Sequence, residues 1–202
     1  MPALESPLVV LVIWAAIGYL LGAVPFGLIL SRLFGLGDLR QIGSGNIGAT
    51  NVLRTGNKLA AALTLLLDGG KGAVAVLLAR TWAGEGAVQL AALAAMLGHC
   101  FPAWLGFRGG KGVATFLGIW LVLAWPVGVA CCLTWLFLVG INRMSSMGAM
   151  GTAAFSTVWM LVLGSGSTLI LGFVLTALVV VRHKDNIARI RAGTEPKIGQ
   201  NS

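Results

Sequence analysis

Residues 113–141 read VATFLGIWLVLAWPVGVACCLTWLFLVGI, an apolar run without a single charge. As one helix the run would be about 43 Å long at about 1.5 Å per residue, well beyond a hydrocarbon core of about 30 Å. Trp125-Pro126 near its middle offers a place to turn, because proline disfavours helix in the residue before it. Two short spans meeting there fix the topology of everything that follows. Working outwards, the first span runs from Leu8 to about Leu30 and ends at Ser31 and Arg32. Residues 59–67 and 73–78 are each too short to cross and together make one interrupted crossing around Asp68-Gly69-Gly70-Lys71-Gly72. A third span covers about residues 86–103. The last two are 147–163 and 168–181, separated by Gly164-Ser165-Gly166-Ser167.

Composition agrees with a membrane domain. Of 202 residues, 57% are hydrophobic and 10% charged, with a mean hydropathy of +0.92; a soluble domain is about a quarter charged. The expected fold is an all-α integral membrane protein of about seven transmembrane helices, some short or broken, in one domain over residues 1–202. Charge placement orients it. With seven crossings and the N-terminus outside, Arg32, Arg40, Arg54, Lys58, Arg108, Lys111, Arg143 and every basic residue from Arg182 onward are cytoplasmic. Only Arg80 is near the outside, and Lys71 lies within a crossing. A single long span over 113–141 would send the basic tail outside instead. The net charge of +8 is thus a topology signal and not a nucleic-acid footprint. Cys100, Cys131 and Cys132 read as packing residues. Glu5 stands where a cleavable signal would carry a basic region.

Three polar segments are unlike ordinary connections. Gly43-Ser44-Gly45-Asn46-Ile47-Gly48-Ala49-Thr50-Asn51-Val52-Leu53-Arg54 contains a formal G-x-G-x-x-G, but a helical membrane chain offers no strand and no βαβ unit around it, so a dinucleotide fold is excluded. The physics of close backbone approach to an anion still applies. Ser44, Asn46, Thr50 and Asn51 add neutral donors, and Arg54 a planar fork suited to phosphate. In Asp68-Gly69-Gly70-Lys71-Gly72, the two charges are three apart and can pair on a helical turn; a structural ion pair and a substrate contact are both open. The third segment is His99-Cys100-Phe101-Pro102, then Phe107-Arg108-Gly109-Gly110-Lys111-Gly112-Val113-Ala114-Thr115. It is not a P-loop, since Gly112 follows Lys111 where Ser or Thr is required. Arg108, Lys111 and the amides of Gly109, Gly110 and Gly112 still make an anion cradle at the start of a span.

The tail Arg182-His183-Lys184-Asp185-Asn186-Ile187-Ala188-Arg189-Ile190-Arg191 reads as a stop-transfer cluster with a short amphipathic helix. Its His183, Asn186 and Arg189 recur at three-residue spacing, so a helix points them to one side. Two histidines and six acids supply no convincing metal-ligand set, and no cofactor is expected. Neither a Gly-x-Ser-x-Gly elbow nor a His-x4-Asp pair is present.

In this order and separated by spans, residues 43–54, 68–72, 99–115 and 183–189 resemble the bacterial acyl-phosphate:glycerol-3-phosphate acyltransferases. The similarity covers nearly the whole chain. It implies transfer of a fatty acyl group from acyl phosphate to the 1-hydroxyl of glycerol 3-phosphate, giving lysophosphatidic acid and inorganic phosphate, the first step of phospholipid synthesis. It also implies an inner-membrane enzyme with its site on the cytoplasmic face, in segments near 35–58, 107–112 and 182–202. By the same resemblance, Ser44, Arg54 and Lys111 bind phosphate, and His183 and Asn186 contact substrate. Gly43, Asn46, Thr50, Asn51, Lys71, Arg108, Gly109, Gly110 and Gly112 belong to the same motifs. Both substrates are phosphates, one soluble and one carrying a lipid tail, so cradles beside apolar spans suit the pair. His99 is one candidate general base, and a phosphate oxygen of glycerol 3-phosphate is another. The alternative from another class is an organic-phosphate transporter, which needs its cations near the midplane; most here collect at one face.

Overall fold

The structure, a computed structural model, describes residues 6–199; Glu5 and residues 200–202 of the tail lie outside that range. Among the described residues the chain is all helical, with no strand. Helices α1 (Leu8–Gly22) and α2 (Phe26–Leu33) flank Ala23-Val24-Pro25. Pro25 has no N–H and disfavours helix at Val24, which accounts for the break. After the short α3 (Ala49–Leu53) come α4 (Lys58–Trp82) and α5 (Glu85–Cys100). The run that decides the topology divides as expected, into α6 (Val113–Leu123) and α7 (Trp125–Asn142), with Pro126 in the first turn of α7. The chain continues through α8 (Ser145–Val162), α9 (Leu169–Arg182) and α10 (Lys184–Arg191).

The expected interruption of the second crossing is not there. Helix α4 is continuous for 25 residues through Asp68-Gly69-Gly70-Lys71-Gly72. Glycine inside a helix costs about 1 kcal/mol against alanine, and here close packing offsets it. A Cβ on Gly118 of α6 would stand 2.0 Å from the Gly69 carbonyl oxygen, and one on Gly72 2.9 Å from that of Thr115. The glycines thin α4 so that α6 can lie against it, a common device between membrane helices.

Among the described residues, four segments are long and apolar enough to cross a bilayer: Leu8–Leu33, Lys58–Trp82, Glu85–Leu105 and Trp125–Asn142. A fifth is reached if Gly166–Arg182 and Lys184–Arg191, bent by 57°, are counted together. This is fewer than the seven expected from the sequence. The shortfall has two causes. Helix α6 has only 11 residues, about 16 Å of rise, and α8 interleaves Ser145, Ser146, Thr152, Ser156 and Thr157 with its apolar residues. Arg80, the basic residue expected near the outside, donates to the Val122 and Leu123 carbonyls at 2.7 and 3.0 Å. It thereby satisfies acceptors that the end of α6 leaves open.

The main core joins Val76, Met96, Phe116, Ile119, Trp120, Val127, Met160 and Leu175 from α4 to α9. A smaller cluster of Leu39, Val52, Ala60 and Ala61 seats the 35–57 segment on the first turns of α4. That seat places the first polar segment above the start of α6.

Candidate active site

Asn51 organises the first segment. Its Nδ2 donates to the Leu39 and Ile42 carbonyls at 2.9 and 3.0 Å, and its Oδ1 accepts the Ser44 N–H at 3.1 Å. The side chain is buried, so its amide is committed to the loop backbone. Gly43, at φ +52°, is packed on the Arg54 side chain. Held this way, Ser44, Asn46, Thr50 and Arg54 all line one cavity of about 490 Å³.

Lys111, Gly112, Val113 and Ala114 line the same cavity, which receives the N-terminal turn of α6. Amides of a first helical turn have no intrahelical acceptor and favour an anion. The cradle is narrower than the sequence implied. The Gly109 and Gly110 N–H groups donate to the Cys100 and His99 carbonyls, both at 3.1 Å, so they are not available to a ligand. Arg108 is exposed and outside the lining. Gly112, at φ +83°, is the glycine that turns the chain into α6.

The tail closes the cavity from a third side with His183, Asn186 and Glu195. Asn186 Oδ1 accepts from Lys111 Nζ, and its Nδ2 donates to Glu195 Oε1 at 2.6 Å. The same oxygen accepts from Ser146 at 2.6 Å, and Oε2 accepts Arg189 Nε at 2.8 Å. Burial alone would raise the Glu195 carboxyl, but these three donors hold it below the usual glutamate range. Burial pulls Lys111 down to about 8, with Arg189 adding to the effect and Glu195 and Asp185 opposing it. Buried His183 bonds the Val179 carbonyl through Nδ1 at 2.7 Å. A carbonyl only accepts, so Nδ1 carries the proton and Nε2 is left as an acceptor. Burial brings its pKa to about 4, against the Val179 bond, and the ring is neutral at pH 7.

Lys71 is not in the cavity. Its ammonium lies 2.7 Å from both Asp68 Oδ1 and the Val24 carbonyl, the acceptor freed by the break before Pro25. The reading of Lys71 as a substrate ligand therefore gives way to a buried structural pair. Asp68 and His99 also line the cavity; His99 Nδ1, at 3.8 Å from Asp68 Oδ1, has no hydrogen-bond partner among the described residues. The remaining wall is apolar: Leu65 of α4, Leu117 of α6, and Cys132, Trp135 and Leu136 of α7. Leu65 and Leu136 are 49% and 59% exposed, so this wall also faces outwards.

The family model described as glycerol-3-phosphate acyltransferase matches residues 12–193. The chain belongs to that family. The glycerol-3-phosphate acyltransferase of Ruegeria pomeroyi is 69% identical over 202 residues, all of both chains. That of one Cereibacter sphaeroides strain is 61% identical over all of this chain and 96% of its own. Crystal structures of PlsY, an integral membrane glycerol 3-phosphate acyltransferase, superpose closely. Its glycerol 3-phosphate form gives a TM-score of 0.88 at 34% identity, covering 94% of this chain and 96% of that one. Its lysophosphatidic acid form gives 0.86 at 33%, covering 94% and 95%.

Two residues of this acyltransferase were not singled out from sequence. Glu195 lies beyond the motif helix with no chemical neighbour in the chain, and only folding brings it to Asn186. Arg182 reads as a flanking charge, yet it bonds the glycine loop. A lone acid just past a cationic segment is the one signal that could have drawn attention to Glu195.

Proposed function

We propose that this chain transfers a fatty acyl group from acyl phosphate to the 1-hydroxyl of glycerol 3-phosphate, releasing lysophosphatidic acid and inorganic phosphate. The observation that supports it is a single cavity in which cation-bearing polar segments meet an outward-facing apolar wall. The protein acts as one transmembrane domain of seven crossings, N-terminus outside and C-terminus cytoplasmic, in a bacterial inner membrane. Helices α6 and α8 make the short and the polar crossing. Glycerol 3-phosphate arrives from the cytoplasm, and the donor arrives from membrane lipid with its chain along Leu65, Leu117 and Leu136. Each methylene buried there contributes about 0.8 kcal/mol.

Arg54, Lys111 and the first-turn amides of α6 hold the phosphates, assisted by Ser44, Asn46 and Thr50. Asn51, Gly43, Gly109, Gly110 and Asn186 position these groups. The same donors stabilise charge developing on the acyl carbonyl oxygen and the leaving phosphate. The glycerol 1-hydroxyl attacks the acyl carbon, the ester C–O bond forms, and the acyl–phosphate C–O bond breaks with its electron pair on phosphate. Acyl phosphate is already activated, so no covalent enzyme nucleophile is needed. His183, neutral and with Nε2 as acceptor, orients a glycerol hydroxyl and does not bind phosphate by charge. As a base it is poor, at about 4. The substrate's own phosphate, with a second pKa of about 6, is the stronger acceptor and takes the hydroxyl proton.

Purified protein given glycerol 3-phosphate with either palmitoyl phosphate or palmitoyl-CoA tests the reaction. Lysophosphatidic acid forms from the first donor alone; activity with the CoA ester only, or with neither, would sink the assignment. The proton route is tested separately: it fails if His99→Ala abolishes turnover while both substrates remain bound.

A further inference from the structure

We propose that Arg182 is a positioning residue that locks the Gly109-Gly110 peptides and so aims Lys111 and the start of α6 at the bound phosphate. This rests on the function proposed above and adds a residue to it. Arg182 Nη2 donates to the Gly109 carbonyl at 2.7 Å and Nε to the Gly110 carbonyl at 3.0 Å. The N–H groups of the same two glycines are held by Cys100 and His99 on α5. All four backbone groups of Gly109 and Gly110 are therefore fixed, from α9 on one side and α5 on the other. The guanidinium itself is stacked over Phe101, 5.1 Å from the ring centre. Neither glycine can shift towards α5, since a Cβ on Gly109 would already lie 2.1 Å from the His99 carbonyl oxygen. Rotation of this dipeptide would swing Lys111 and Gly112 away from the cavity they line, and Arg182 opposes that rotation.

Arg182 does not line the cavity, so its action is indirect. Its place in the last turn of α9 suggests a plainer role, a cation complementing the helix dipole. The two roles separate by chemistry. A lysine supplies the same charge at the helix end but cannot bridge two carbonyls with a planar fork.

Arg182→Lys and Arg182→Ala are assayed beside the parent enzyme, varying glycerol 3-phosphate and palmitoyl phosphate in turn. Losing charged hydrogen bonds of this kind corresponds to roughly a tenfold to hundredfold effect. Both variants are expected to raise KM for at least one substrate by about tenfold or more, with a much smaller change in kcat. Added methylguanidinium lowers the raised KM of Arg182→Ala, and methylammonium does not. Hydrogen exchange of residues 107–112 also quickens in both variants, a readout independent of activity. Parental KM values or parental exchange in Arg182→Lys would overturn the clamp in favour of the dipole role. So would a loss of kcat at constant KM that follows the folded fraction. A parent enzyme inactive with both substrates would instead count against the proposed function, while the exchange measurement still decides whether Arg182 holds the loop.

Discussion

Lys111 is the residue through which most of the site's electrostatics pass. It is tied to Asn186, which is tied to Glu195. Its pKa of about 8 means that the free enzyme loses this cation as pH rises through 8. Accordingly kcat/KM, which reports the free enzyme, falls on the alkaline side with a midpoint near 8. Arginine stays charged throughout that range, so a Lys111→Arg variant loses this limb from its pH profile. Glu195→Gln keeps the shape but removes the charge that opposes the Lys111 shift; its alkaline midpoint moves to lower pH. The Glu195 carboxyl is lowered in the fold, so its contribution to stability is present above the unfolded pKa and lost as pH falls through the folded one. The sequence marks Ser44, Arg54 and Lys111 as candidates because donor-rich, glycine-rich segments state their chemistry locally, and the fold puts all three on one cavity. The sequence leaves two readings of Lys71 open because its partner carbonyl at Val24 is 47 residues away. It also leaves the amides of Gly109 and Gly110 looking free, because spacing does not show the loop folding back on the end of α5.

Among the elements, α4 and α6 carry the largest error and the clearest success. Trp125-Pro126 gave away the break between α6 and α7, since proline acts on its own neighbour. Glycines in α4 are ambiguous locally, because only the partner helix distinguishes a break from a close contact. Gly118→Ala is therefore expected to destabilise by about 1–3 kcal/mol through overpacking, read as a lower Tm of the purified enzyme in detergent. An unchanged Tm would mean that α4 and α6 are not packed as described. On the apolar wall, Cys132→Trp fills part of the cavity beside Leu136. The variant should lose activity with palmitoyl phosphate more than with a donor eight carbons long; equal losses would remove α7 from the acyl path.

For the whole molecule, the membrane character and the helical class were plain from composition, whereas the number of crossings was not. Periodicity and apolar length do not separate an 11-residue crossing from a buried helix, and α6 can be read equally as either; the proposed orientation rests on the positive-inside bias of the basic residues. Ser6→Cys in intact cells should react with an impermeant maleimide, and Gly199→Cys only after permeabilisation; the reverse pattern would invert the topology. In the proposed mechanism one cavity brings both phosphates together for direct transfer. The measurement that tests it is a single turnover, with enzyme in slight excess over acyl-labelled palmitoyl phosphate in vesicles and glycerol 3-phosphate withheld, then added. Direct transfer gives no labelled protein and no phosphate release before the addition, then one lysophosphatidic acid and one phosphate per donor. A stoichiometric release of phosphate with label retained on the protein before the addition would contradict it.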